Sequence, residues 1–129
     1  MLASPSLYAD MVVQRNGSIW AVIEDDGTIR IAGSAAGAWN ADGTARKAGS
    51  CAGKIEHDGT IRTCSGSRLG KVESDGTILK SWSSVGRVQS DGIITRAGSV
   101  WGAASNCCKE LGGRQAVAAV LIFFEGGFF

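Results

Sequence analysis

The dipeptide Asp-Gly recurs at Asp26-Gly27, Asp42-Gly43, Asp58-Gly59, Asp75-Gly76 and Asp91-Gly92, in steps of 16, 16, 17 and 16 residues. A fixed period obliges the chain to repeat one supersecondary unit, and neighbouring units must share a core because none can bury an apolar face alone. Asn16-Gly17 reads as an earlier, degenerate member. A second glycine lies ten residues after each Asp-Gly glycine, at Gly37, Gly53, Gly86 and Gly102, with Gly70 displaced to eleven. The extra residue falls in the loop 65–69. With 19 Gly and one Pro in 129 residues, glycine is about twice its usual share, and its regular spacing marks turns, not a linker.

Segments between the glycines, such as Lys54-Ile55-Glu56 and Thr60-Ile61-Arg62, alternate polar and apolar at period two, which predicts half-buried strands. Residues paired across a hairpin point to the same face. A two-residue loop at Asp58-Gly59 sets Ile55 opposite Arg62 and breaks the pattern. A three-residue loop, His57-Asp58-Gly59, sets Ile55 opposite Ile61 and Lys54 opposite Arg62, so both faces agree. This is a type I turn followed by a left-handed glycine in a bulge. The same rule pairs Val13 with Ile19, Ile23 with Ile29, Trp39 with Ala45, Val72 with Ile78, and Val88 with Ile94.

Each unit offers only about two large inward residues, too few to fill a wide barrel. The tail supplies the rest: Gln115 to Phe124, QAVAAVLIFF, is apolar all round, as an enclosed helix is. The expected fold is mainly β, a radially symmetric, shallow antiparallel barrel of about 10–12 short strands with this helix through its centre. It is one domain: a lead-in at 1–10, hairpin repeats at 11–102, then linker, helix and tail at 103–129. The architectural rival is a solenoid of sixteen-residue rungs, with the helix as a cap. The tail 125–129 is expected either to fold Phe128 and Phe129 over one mouth or to be exposed and sticky.

Repeats of the form Gly-x-Ile-x-x-Asp-Gly-Thr-Ile-Arg, as in GKIEHDGTIR from Gly53 to Arg62, resemble the bacterial β-flower family, in which short hairpins close radially into a shallow barrel. The resemblance runs from about Val12 to Trp101 through DGTIR at Asp26 and Asp58, DGTAR at Asp42, DGTIL at Asp75 and DGIIT at Asp91. The last two carry Lys80 and Arg96 one residue after the usual Arg. A barrel of this kind around one hydrophobic helix is also similar in shape to the tubby C-terminal domain. That likeness implies association with phosphoinositide or phospholipid.

Thirteen Lys and Arg against twelve Asp and Glu leave no global field to draw nucleic acid, and no nucleic-acid partner is expected. The start, MLASPSLYAD, has no basic n-region and no apolar run of seven, so no secretory leader is expected and a cytoplasmic location is. The longest apolar run, Ala116 to Phe124, is roughly half of the ~20 residues a spanning helix needs. Cys51, Cys64, Cys107 and Cys108 lack the spacing of a disulfide framework or a zinc site. They read as four reduced thiols, with the adjacent pair the place to test for redox sensitivity.

No catalytic constellation stands out, so no enzymatic activity, cofactor or metal is expected. His57, the only histidine, sits in a hairpin loop. Ser50 is one place early for a nucleophile elbow. Gly66 to Lys71 has three residues between its glycines where a phosphate loop has four, and Val72 replaces the hydroxyl residue. The turn aspartates suit turns, not calcium.

Two binding features remain. Arg30, Arg46 and Arg62 follow the Asp-Gly turns, and Lys54, Lys71 and Arg87 follow the repeat glycines. By the hairpin register all six point outward as a girdle, which either takes an anionic headgroup or phosphate or forms a solvated face balanced by Glu24, Glu56 and Glu73. Trp82 lies on a hairpin tip, either an exposed interface anchor or a ring folded back over the rim. The expected role is a structural or protein-interaction module acting as a monomer, with peripheral anionic lipid as the alternative partner.

Overall fold

A computed structural model describes residues 10–129, so most of the lead-in 1–10 lies outside the described residues. Twelve strands follow in order: β1 (Met11–Arg15), β2 (Ser18–Ile23), β3 (Thr28–Ile31), β4 (Ser34–Trp39), β5 (Thr44–Lys47), β6 (Ser50–Ile55), β7 (Thr60–Arg62), β8 (Arg68–Val72), β9 (Thr77–Lys80), β10 (Ser83–Val88), β11 (Ile93–Arg96) and β12 (Ser99–Ser105). Each pairs antiparallel with the next, and β1 pairs with β12 through Val13↔Ala104, closing the barrel. One helix follows among the described residues, α1 (Leu111–Phe124). Closure removes the solenoid alternative, in which first and last rungs never meet.

The Asp-Gly turns gather at one end. In each, the glycine N–H donates to the carbonyl three residues back, as from Gly59 to Glu56 at 2.8 Å, and Gly59 sits at φ +93. The Asp58 carboxylate accepts from the Thr60 N–H at 2.9 Å. This is the three-residue loop expected from the side-chain pattern, and it sets Ile23 opposite Ile29, Trp39 opposite Ala45, Ile55 opposite Ile61, Val72 opposite Ile78 and Val88 opposite Ile94. Each turn also grips its successor: the Gly59 carbonyl accepts from Val72 N–H at 2.8 Å and the Gly76 carbonyl from Val88 N–H at 2.9 Å. A Cβ on Gly59 would lie 2.0 Å from the Val72 carbonyl oxygen.

The expected pair Val13 and Ile19 does not form. Val13 faces Ala21, and Gln14 faces Ile19 across a bulge. Asn16-Gly17 is not a degenerate Asp-Gly turn but the first of a second set at the opposite end, with Ala32-Gly33, Ala48-Gly49 and Ala97-Gly98. In these two-residue turns both positions are left-handed, for example Ala48 at φ 53 and Gly49 at φ 85. Such turns match the twist of the strands they join, and a two-residue loop shifts the register by one. We call the six hairpins that end here petals. In the fourth petal the turn is replaced by the longer loop 63–67, in which Thr63 N–H donates to the Ser67 carbonyl, absorbing the extra residue.

Beyond every petal turn a bulge lets the barrel wall approach the helix. Gly53 marks one such point: a Cβ there would lie 2.3 Å from the Phe123 ring. The inward residues Val13, Ile23, Ile29, Ile55, Ile61, Val72, Ile78, Val88 and Ile94 form one buried belt around Ala116–Leu121 of α1. Without α1 that belt would border a void, and fully burying a residue such as Leu121 or Ile61 contributes about 1.5–3 kcal/mol. Past the helix the chain turns back, and Phe128 is fully buried, edge-on to Trp101 at 5.5 Å between ring centroids. Phe129 packs partly buried beside it. The tail therefore closes the petal mouth instead of hanging free.

The four cysteines are not reduced thiols. Cys51 is bonded to Cys64 in the irregular fourth petal, with their Cα atoms 6.0 Å apart, and Cys107 is bonded to Cys108. The missing clue is spatial: a sixteen-residue period puts positions 51 and 64 on neighbouring petals, which sequence spacing alone does not show. Among the described residues no helix is long and apolar enough to cross a membrane.

Candidate functional site

The outward girdle exists, and its charges are matched. Arg30 Nε bonds Glu24 Oε2 at 2.9 Å, and Arg62 Nε lies 3.1 Å from Glu56 Oε1. Arg87 lies 4.0 Å from the Asp75 carboxylate. Lys54 and Arg46 neighbour Asp42, and Lys71 neighbours Asp58, helping to lower those carboxyl pKa values. The larger cause, in Asp26, Asp42, Asp58 and Asp75 alike, is the backbone N–H two residues on, joined by the threonine hydroxyl there. Glu73, expected to balance the girdle, pairs with none of its cations among the described residues, and the turn aspartates do so instead.

His57 is exposed in its turn, and its carbonyl accepts a bond from the Gln115 amide at 3.3 Å, tethering the start of α1. Ser50 is an exposed residue beside a petal turn. Gly70 is buried in β8, where a Cβ would lie 1.9 Å from the Leu79 carbonyl oxygen, so its backbone is covered by a strand and presents nothing to a phosphate. Among the described residues no three His, Cys, Asp or Glu side chains converge.

The petal rim differs. Trp82 is 79 % exposed and is not folded back over the barrel. Its turn breaks the pattern of the other two-residue turns: Gly17, Gly33, Gly49 and Gly98 occupy the matching place and are left-handed, whereas in the fifth petal only Ser81, at φ 58, is left-handed. That geometry frees the second turn position from its need for glycine. The neighbouring petal's Arg68 guanidinium lies over the Trp82 ring at 4.3 Å, a stacking that holds both side chains in place. Ile19 and Val100, 61 % and 71 % exposed, stand two residues beyond their own petal turns.

The charges of the rim are one-sided. Arg15, Lys47, Lys80 and Arg96 each immediately precede a petal turn, one residue later than the girdle arginines. A one-residue shift along a strand moves a side chain to the other face, so these four turn over the mouth. Arg15 lies over Trp101 at 4.9 Å, Lys47 over Phe124 at 5.9 Å, Lys80 over Phe129 at 5.5 Å and Arg96 over Phe128 at 5.9 Å. Arg96 also donates to the Phe128 carbonyl at 2.8 Å. With Arg68 they make five cations at the rim, where the one carboxylate side chain is Glu125, bonded to Arg15. The other described carboxylates lie toward the Asp-Gly end. In the sequence Lys80 and Arg96 stand out only as departures from a motif. The phase of those residues relative to the petal turns was the signal that would have found this ring.

No family model matches the chain, and no curated protein or solved structure is detectably similar to it.

Proposed function

We propose that the chain is a non-enzymatic binding module, within the β-flower class that its repeats resemble, and that its working face is the petal rim. The carrying observation is Trp82: a 79 % exposed ring, stacked under Arg68, at the one two-residue petal turn whose backbone dispenses with a second left-handed residue. An exposed aromatic backed by arginine has the composition of an interface anchor. On this reading the rim meets a protein partner. Its two cystines suit an oxidising compartment better than the cytoplasm.

A second reading draws on the charge asymmetry: the rim meets anionic lipid headgroups, with Trp82, Ile19 and Val100 entering the interface and the five cations supplying attraction. It moves the lipid contact from the girdle, whose cations face carboxylates, to the rim. A photocrosslinking amino acid at position 82, with one at position 46 of the girdle as control, tests the module. Adducts at 82 and not at 46 are expected; their absence at 82 refutes the working face. Flotation with vesicles of phosphatidylcholine, alone or with phosphatidylglycerol in equal parts, separates the readings. Lipid docking requires flotation with the anionic vesicles alone, weakened by salt and by Trp82→Gly but not by Arg46→Ala with Lys54→Ala.

A further inference from the structure

Where the chain leaves β12 and enters the barrel, it passes through the bonded pair Cys107–Cys108. A disulfide between adjacent residues encloses no chain segment, so it gives almost none of the loop-closure stabilisation that makes ordinary disulfides structural. It does fix the peptide that it brackets. The Cys107 carbonyl is pressed onto the first turn of α1: a Cβ at Gly113 would lie 1.6 Å from its oxygen. The Cys108 carbonyl accepts from Arg114 Nη1 at 2.8 Å, and the other end of the same guanidinium donates to the Ser74 carbonyl at 2.8 Å. Ser74 lies in the Asp-Gly turn between β8 and β9. The cystine, Arg114 and a barrel turn therefore form one clamp on the N-terminal end of α1.

The bond is open to exchange from one side. Cys108 is buried, whereas Cys107 is half-buried, and both line a groove with Asp91, Asn106, Lys109 and Glu110. We infer that Cys107–Cys108 is a two-electron exchange site for a dithiol reductant, and that its redox state sets how tightly the start of α1 is held. A thiolate of the reductant attacks Cys107 Sγ, forming a mixed disulfide as the Cys107–Cys108 bond breaks and Cys108 leaves as thiolate. The second thiol of the reductant then displaces Cys107. The protein gains two electrons and two protons, and the reductant departs as its cyclic disulfide. Once the bracket is open, the 107–108 peptide is free to rotate, and both carbonyls lose their fixed positions against Gly113 and Arg114.

Hydrogen exchange read by mass spectrometry, on the full chain carrying Cys51→Ala and Cys64→Ala so that the other cystine is silent, tests this with dithiothreitol as the reductant. Reduction is expected to speed amide exchange in residues 112–116 by about tenfold or more, as release of a local unit does, while leaving strands β5 to β8 unchanged. Cys107→Ser in the same background should show the fast exchange without reductant and no further response to it. The inference is overturned if the purified protein already carries both thiols free, if exchange at 112–116 is the same oxidised and reduced, or if Cys107→Ser behaves like the oxidised parent.

Discussion

Removing the Cys51–Cys64 link gives the sharpest stability test, because both residues are exposed and their truncation costs little burial. The bond joins residues 13 apart, so it closes a loop just short of the fifteen residues for which chain entropy predicts about 3 kcal/mol. In a domain of this length that corresponds to a fall in Tm of about 10 °C. Cys107→Ala with Cys108→Ala closes no loop and should cost about 1 kcal/mol or less, chiefly through the small buried side chain of Cys108. Thermal unfolding followed by circular dichroism, with and without reductant, measures both. Reductant should lower the Tm of the parent by nearly as much as Cys51→Ala/Cys64→Ala does, and should barely affect that variant. Equal Tm values for the parent and Cys51→Ala/Cys64→Ala, or two reactive thiols at 51 and 64 in the unreduced protein, would refute the reasoning.

Two glycine substitutions should rank by contact and not by dihedral angle. Gly98→Ala places a Cβ in open space at φ +84 and should cost about 1–2 kcal/mol, whereas Gly70→Ala drives one into the Leu79 carbonyl, which cannot yield, and should cost about 3 kcal/mol or more; urea denaturation that reverses this order would refute the packing account. Ala45→Ile, opposite Trp39 and fully buried, should overpack the belt by about 1–3 kcal/mol, so an unchanged urea midpoint would contradict the register. The carboxyls of Asp26, Asp42, Asp58 and Asp75 titrate lower folded than unfolded. Their contribution is therefore complete above the unfolded value near ~3.9 and is lost as pH falls through the folded values. Changing all four to Asn, which keeps the acceptor but removes the charge, should flatten the decline of Tm below about pH 4; an unaltered acid slope would sink this assignment.

Much of the fold was legible because the constraints were local. Period-two alternation around Asp58-Gly59 fixed the loop length, and the loop length fixed five of the cross-strand pairs. The all-apolar run 116–124 has no surface on which to lie, so an interior place for it followed. The petal turns were harder to see. Ala32-Gly33, Ala48-Gly49 and Ala97-Gly98 put alanine in the left-handed region, where asparagine is the usual sign, and Asn16-Gly17 was consequently grouped with the wrong set. The Cys51–Cys64 bond, the ring of rim cations and the Arg68–Trp82 stack bring together residues of different units. They depend on lateral proximity between petals, which becomes visible only when the ring is closed.

Every strand except one meets its partner directly after it in the sequence; the exception is the seam between β1 and β12. A growing polypeptide can thus zip hairpin onto hairpin as it leaves the ribosome, yet the ribbon keeps two bare edges until β12 is made and an unfilled apolar lining until α1 arrives. Such edges are templates for mispairing. Nascent chains stalled before Leu111 should be bound by holdase chaperones or degraded, so cellular yield of this protein is decided by how quickly the segment from Leu111 onward is delivered.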